Sequence, residues 1–171
     1  MPITTLPDFD PKDDVVNHAC MSKSIIYEEK PPLRGEHRPN WAIWGEYLYL
    51  PPQRWLHNLE HGGIIGLYHP CADMEQISIL KEVVTDCLYR HIITPYNKLT
   101  AERPFALLSW GSKLEMNYIN KTLAEQFIKD RAKYKAPEDI PDDGQFSENL
   151  VKRAELVSGD SEDNILCPYS I

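Results

Sequence analysis

The 171-residue sequence contains no apolar run long enough to cross a membrane as a helix. A spanning helix needs about 20 consecutive apolar residues. Residues 1–25 also lack the apolar centre of a secretion signal. We therefore expect no membrane span in this chain, which represents either a cytosolic protein or the trimmed extracellular part of a longer one.

Positive charge is also scarce. Lysine and arginine number 18, against 26 aspartate and glutamate residues, and the formal net charge is -8. An acidic protein is repelled by the phosphates of nucleic acids and by anionic lipid headgroups. We therefore expect no nucleic-acid partner.

Common catalytic and redox motifs are missing as well. The sequence has no C-x-x-C pair, no G-x-S-x-G nucleophile motif, no P-loop and no dinucleotide-binding glycine pattern. The cysteines are widely spaced, at Cys20, Cys71, Cys87 and Cys167. In a cytosolic enzyme these would be free thiols, whereas in a secreted domain they would form two disulfides.

Candidate chemistry is concentrated in one stretch, WLHNLEHGG, at residues 55–63. If this stretch is helical, His57 and His61 project from one face and can share a transition metal ion. Gly62 and Gly63 then allow the backbone to turn sharply into the apolar run that follows. A loop conformation of this stretch remains an alternative.

Hydrophobic periodicity predicts a single α+β domain with an antiparallel or mixed sheet and two main helices. We expect strands near 25–28, 41–50, 62–68 and 104–110, and helices near 74–91 and 122–134. The chain divides into an extended N-terminal arm (1–23), a core domain (24–136) and an acidic C-terminal segment (137–171).

Two of these predictions concern the ends of helices. The apolar stripe of the first helix ends at His91, which we expect to cap its C-terminus. The second helix is predicted to begin with a capping box formed by Thr122 and Glu125. Asn120 would lie in the turn before it and belongs to an N-glycosylation sequon, so it carries a glycan if the domain is secreted.

Several motifs occur in a recognisable order: His37-x-Pro39-x-Trp41, Trp44-Gly45-x-Tyr47, the HNLEHGG stretch, Thr94-Pro95-Tyr96 and Ser109-Trp110-Gly111. This succession resembles the domain of unknown function family 3105. A further set, LYHPCA at 67–72, Arg103-Pro104 and Leu114-Glu115-Met116, is similar to the extracellular part of an animal single-pass membrane protein. The resemblance implies an extracellular or membrane-tethered location but no activity.

An extracellular location would make the cysteines oxidised. Cys71 precedes the first helix and Cys87 lies well inside it, so the two are about 20 Å apart at 1.5 Å per residue. A disulfide requires Cα atoms within about 7 Å. We therefore predict that Cys20 and Cys167 pair with Cys71 and Cys87 in either combination, and that Cys71 never pairs with Cys87.

A transition-metal site is the first of three functional interpretations. The candidate ligands are His37, His57 and His61, with Met116, His69 or Glu60 as a further ligand. A thioether as the fourth ligand would favour copper, and a carboxylate or water would favour zinc. Asn58 and Glu60 would otherwise hold the rings through hydrogen bonds. His18 and His91 lie outside the site in this interpretation.

The second interpretation is a zinc-dependent hydrolase of the H-x-x-E-H type, with Glu60 as the catalytic base. That motif needs a firm helix, and Pro52 and Gly62 leave little room for one. The third interpretation is a metal-free interaction domain in which the histidines bond to the backbone and Glu60 pairs with Arg38 or Arg54.

Overall fold

The computed structural model describes residues 1–14 and 16–169. Val15 of the N-terminal arm and Ser170 and Ile171 of the acidic segment lie outside the described residues. Within this part of the chain, three helices and a seven-stranded mixed sheet form a single α+β domain, as predicted. None of the helices in these residues has the length and apolar character that a membrane span requires.

The sheet is built around two parallel strands joined by a helix. The helices are α1 (Pro52–Glu60), α2 (Met74–Cys87) and α3 (Lys121–Arg131). The strands are β1 (Ile3–Thr5), β2 (Gly45–Tyr47), β3 (Ile64–Tyr68), β4 (His91–Pro95), β5 (Phe105–Ser109), β6 (Ser112–Met116) and β7 (Leu150–Arg153). Their order in the sheet is β1-β6-β5-β3-β4-β2-β7. Strand β3 is parallel to β4, with α2 as the crossover, and antiparallel to β5.

The central strands are buried on both faces, which explains their continuous apolar sequences. Ile64 and Leu107 belong to a core that includes residues of α2 and α3. Ile65 and Leu108 belong to a second core that includes residues of α1. Because neighbouring side chains of a strand point to opposite faces, α1 lies on the face opposite α2 and α3.

The HNLEHGG stretch is helical up to the glycines. Pro52 begins α1 at a position where its missing N–H costs nothing. Gly62 has a φ of +91°, which favours glycine, and a Cβ on Gly63 would lie 2.3 Å from Cζ3 of Trp44. The two glycines therefore end α1 and allow β3 to start at Ile64, four residues after Glu60.

Two predicted strands need correction. No strand forms near 25–28, where Ile26 is 88% exposed and the backbone has no sheet partner. An apolar side chain that packs against nothing gains little from a strand conformation. The strand expected over 41–50 is limited to Gly45–Tyr47, and Leu48 and Tyr49 after it are exposed.

The first long helix is shorter than predicted. It ends at Cys87, and Leu88 is extended, with φ of -163° and ψ of 158°. His91 is not a helix cap but the first residue of β4, where its Nδ1 donates to the Leu88 carbonyl at 2.8 Å. The β-branched residues Ile92 and Ile93 favour a strand here.

The second long helix starts at Lys121 and ends at Arg131, short of the predicted residue 134. Its N-cap is Asn120, whose Oδ1 accepts a hydrogen bond from the Leu123 amide at 3.2 Å. Asparagine at this position satisfies an amide that has no partner within the helix. The expected capping role of Thr122 is therefore wrong.

The cysteines form one disulfide, between Cys87 and Cys167. This pair is one of the predicted combinations, and Cys71 does not pair with Cys87. The complementary bridge between Cys20 and Cys71 does not form, because each lies exposed as a free thiol in a different loop. The disulfide attaches the acidic C-terminal segment to the end of α2.

Candidate metal centre

Three histidines and one glutamate converge to form what we call the His3Glu cluster: His18, His37, His57 and Glu60. One ligand atom of each lies within 4.8 Å of those of the other three. His57 and Glu60 come from consecutive turns of α1, while His37 comes from the loop before β2 and His18 from the N-terminal arm.

The two loop histidines are positioned by pairing of their backbones. His18 and His37 form an isolated parallel β-bridge. The Ala19 amide donates to the His37 carbonyl at 2.8 Å, and the His37 amide donates to the Asn17 carbonyl at 3.3 Å. The arm is thereby fixed where the His18 ring reaches the cluster.

Glu60 lies at the centre of the cluster. Its Oε2 is 2.9 Å from Nε2 of His37, 3.4 Å from Nε2 of His57 and 3.5 Å from Nε2 of His18. A tetrahedral zinc ion with bonds of about 2.0–2.1 Å holds its ligand atoms about 3.3 Å apart. The three distances from Glu60 are therefore close to those of a coordination shell, while separations within the whole cluster reach up to 4.8 Å.

The outer nitrogens of two rings are fixed by backbone carbonyls. Nδ1 of His37 donates to the Gly35 carbonyl at 2.9 Å, and Nδ1 of His57 donates to the Arg38 carbonyl at 2.8 Å. A carbonyl only accepts, so Nδ1 carries the proton. Outer hydrogen bonds of this kind orient metal-binding histidines and leave Nε2 for the ion.

The electrostatics of the cluster favour the protonation states that a metal needs. Burial lowers the pKa of His57 to about 3, so this imidazole is neutral at neutral pH. Burial raises the pKa of Glu60, but the hydrogen bond with His37 and the neighbouring imidazoles lower it, and the net pKa lies below the ordinary value. Glu60 is therefore a carboxylate, and His57 offers a lone pair.

His61 lies beside the cluster rather than in it. Its ring centroid is 4.7 Å from that of His57 and 4.5 Å from that of Trp41. Nδ1 donates to the Glu138 carbonyl at 2.8 Å, whereas Nε2 is buried and has no hydrogen-bond partner among residues 1–14 and 16–169. Burial lowers the pKa of His61, which keeps the ring neutral.

The other predicted ligands lie elsewhere. His69 follows β3 and accepts a hydrogen bond from the Cys71 amide at 3.0 Å. Met116 packs in the core beneath α2 and α3. Asn58 does not hold an imidazole, because its amide bonds to the backbone of Ala42.

His18 belongs to the cluster, so the prediction from the sequence that it lies outside the site is wrong. Its position depends on the bridge to His37, nineteen residues away, and no local pattern signals such a pairing. Neither arginine expected to pair with Glu60 does so. Arg38 donates to the Cys20 carbonyl at 2.7 Å, and Arg54 donates to the Asn40 carbonyl at 2.9 Å.

Fold and site together define a small α+β domain with a His3Glu cluster at the end of a helix, in which three residues are buried and His18 is exposed. The chain belongs to the family described as "Protein of unknown function (DUF3105)", whose model matches residues 18–145. All four cluster residues fall within that range. The family description assigns no activity.

The chain is also similar to the rat protein named "Tumor protein p53-inducible protein 13" (Rattus norvegicus). The two are 34% identical over 70 residues, which is 39% of this chain and 17% of the rat protein. The chain thus spans less than a fifth of that relative. No solved structure matches the chain. Both resemblances inferred from the sequence motifs are confirmed.

Proposed function

We propose that this domain binds a divalent transition metal ion through His18, His37, His57 and Glu60. The observation that carries the proposal is the position of Glu60 Oε2, which lies within 3.5 Å of three imidazole Nε2 atoms. A buried carboxylate is stable when it is paired or coordinates a metal.

The set of ligand atoms favours zinc. Three imidazole nitrogens with one carboxylate oxygen are ligands that zinc takes in tetrahedral sites. The thioether that would favour copper is absent from the cluster, since Met116 packs in the opposite core. Copper(II) binds most nitrogen sites more tightly than zinc, so both ions belong in the test.

In the metal-free alternative, Nε2 of His37 must carry a proton as well as Nδ1, because it donates the 2.9 Å hydrogen bond to Glu60. A metal ion would replace that proton as the cation beside Glu60. The Glu60 side chain is 5% exposed, and its ionic contacts are the three imidazoles. The side chains of Arg38 and Arg54 donate hydrogen bonds to backbone carbonyls instead. Burial of a carboxylate without a cation is costly.

The geometry also differs from that of an H-x-x-E-H hydrolase. That mechanism uses both histidines as ligands and the glutamate as a base acting on bound water. Here Glu60 lies among the ligand nitrogens, and His61 stands outside the cluster. We therefore assign Glu60 the role of a ligand.

The test is calorimetry and elemental analysis of chelator-stripped protein titrated with zinc and copper. We expect one ion per chain. His57→Ala and Glu60→Ala should weaken binding at least about 100-fold, because each removes a ligand. His18→Ala should also weaken it. The matched control is His69→Ala, which should bind as the wild type does. Absence of stoichiometric uptake, or equal binding by all variants, would refute the proposal.

We also propose that the domain functions outside the cytoplasm. The support is the disulfide between Cys87 and Cys167, since such bonds persist in oxidising compartments and are rare in the cytosol. The glycosylation experiment described in the Discussion tests this location.

A further inference from the structure

His61 presents a buried acceptor that nothing in the described protein satisfies. The residue is 1% exposed, and its Nε2 has no hydrogen-bond partner. Leaving such a buried atom unpaired is energetically unfavourable. Native proteins rarely carry that cost without a reason, such as a bound ligand.

The ring is held so that Nε2 remains an acceptor. Its Nδ1 donates to the Glu138 carbonyl at 2.8 Å, so Nδ1 carries the proton and Nε2 has a lone pair. The Glu138 amide in turn donates to the Glu60 carbonyl at 3.1 Å. The segment that orients His61 is therefore attached to the end of α1, from which Glu60 projects.

The surroundings place the His61 ring against the ring of His57, one of the proposed ligands. The His61 ring is 4.7 Å from the ring of His57, and Trp41 packs against both, with centroid separations of 4.5 and 4.8 Å. The rings of His61, His57 and Trp41 thus pack against one another.

We infer that Nε2 of His61 accepts a hydrogen bond from a small exchangeable ligand at the proposed metal ion, and that the site selects ligands whose binding atom carries O–H or N–H. This inference rests on the proposed function. In this inference His61 determines which small ligands bind, whereas the His3Glu cluster holds the metal ion.

The distances agree with this role. A ligand atom about 2.0–2.1 Å from zinc that donates a hydrogen bond of about 2.8 Å reaches an acceptor at most about 5 Å from the ion. The His61 ring, whose centroid is 4.7 Å from that of the proposed ligand His57, lies close enough for such a hydrogen bond. Zinc sometimes takes a fifth ligand, and the exchangeable ligand would occupy that position beside the four protein ligands.

Selectivity follows from the charges around this position. The lone pair of His61 Nε2 and the carboxylate of Glu60 both repel an anion that carries only lone pairs, such as azide. A neutral molecule with a proton on its binding atom, such as water or hydroxylamine, gains a hydrogen bond instead. Access from solvent is available at His18, whose side chain is 40% exposed.

The experiment uses protein loaded with cobalt(II), whose visible absorption changes when a ligand binds. Hydroxylamine and azide are titrated separately into wild type and His61→Phe, which fills the ring volume without a lone pair. We expect hydroxylamine to bind about tenfold more weakly to His61→Phe, and azide to bind equally or more tightly. His61→Gln, which can present an amide oxygen near the Nε2 position, should recover part of the hydroxylamine affinity. Cobalt affinity should stay within about threefold of wild type in both variants.

Each contrary result has a distinct meaning. If His61→Phe loses cobalt as severely as His57→Phe, His61 is itself a ligand and the inference is wrong. Equal hydroxylamine affinity in wild type and His61→Phe also overturns it. If wild type takes up no cobalt, zinc or copper, the proposed function fails, and this inference fails with it. His61→Leu provides the same comparison should the phenylalanine variant not fold.

Discussion

Asn58 is joined to Ala42 by two hydrogen bonds between its side-chain amide and the backbone. The Ala42 amide donates to Oδ1 of Asn58 at 3.1 Å, and Nδ2 of Asn58 donates to the Ala42 carbonyl at 3.0 Å. Both residues are fully buried. The pair attaches α1 to the segment that leads into β2, and so it aligns the helix that carries His57 and Glu60.

Replacing Asn58 with alanine should destabilise the domain by about 1–3 kcal/mol, since the buried Ala42 amide loses its partner. The Ala42 carbonyl keeps a hydrogen bond from the Gly144 amide at 3.3 Å. Urea unfolding followed by tryptophan fluorescence measures this loss. Asn97→Ala, at an exposed turn, is the matched control and should change stability little. A wild-type unfolding midpoint for Asn58→Ala would show that the backbone of Ala42 finds other partners.

The free energy of unfolding of the metal-free protein should decrease as the pH is lowered, because of His91. Burial lowers its pKa from 6.5 to about 4. Above pH 6.5 the ring is neutral in both states and contributes no pH dependence. Between pH 6.5 and about 4 the unfolded chain binds a proton that the native state does not, so the free energy of unfolding decreases as pH falls. The decrease attributable to this residue is on the order of 3 kcal/mol and is complete below about pH 4.

Urea unfolding at several pH values between 7.5 and 4 tests this dependence on His91. His91→Gln removes the titrating group, and its unfolding free energy should decline less steeply than that of wild type over this range. Parallel curves for the two proteins would assign the acid sensitivity to other groups. His57, whose pKa burial lowers to about 3, acts in the same direction and is present in both proteins.

The disulfide between Cys87 and Cys167 closes a loop with a sequence separation of 80 residues. Replacing both cysteines with serine should destabilise the protein by about 4 kcal/mol in the chain-entropy model. Thiol labelling of the unreduced native protein should modify Cys20 and Cys71, which are exposed, and spare the other pair. Cys20→Ser with Cys71→Ser is the stability control. Labelling of four thiols in protein secreted from cells would contradict the assignment.

Substitutions at Asn120 and Thr122 distinguish the role of Asn120 as a glycosylation site from its role as a helix cap. When the domain is expressed through a eukaryotic secretory pathway, we expect a glycan on Asn120 and a gel shift on glycosidase treatment. Thr122→Ala destroys the sequon but leaves the hydrogen bond of Asn120 to Leu123, so the shift should vanish while the stability of unglycosylated protein stays unchanged. Asn120→Ala should lose the shift and about 1 kcal/mol of stability. A wild-type protein without any shift would argue against the proposed location or against access to Asn120.

Periodicity predicted those parts of the fold that are buried in a regular pattern. The strands β3 and β5 are apolar because both faces are covered, and α2 carries its stripe from Ile77 to Cys87. The first long helix was predicted to reach His91 because this residue continues the spacing of the stripe by coincidence. The β-branched residues Ile92 and Ile93 that follow it already favoured a strand. Strand β6 was not predicted, although Lys113 and Glu115 alternate with Leu114 and Met116, a pattern typical of a strand.

The short edge strands carry little local signal. β1 and β7 are mostly exposed, and their conformation depends on the partner strands β6 and β2. The same limit applies to the candidate site. Spacing within one helix drew attention to His57 and Glu60, whereas the place of His18 depends on contacts between separate loops.

The bridge between His18 and His37 couples docking of the N-terminal arm to the binding of a metal ion by the cluster. An ion that uses all four cluster side chains binds only when the arm is docked, so it favours the docked form by mass action. At an ion concentration about a thousandfold above its dissociation constant, the undocked fraction falls about a thousandfold. Cleavage of the arm by a protease should slow accordingly, and the arm would then act as a latch whose release reports the loss of the ion.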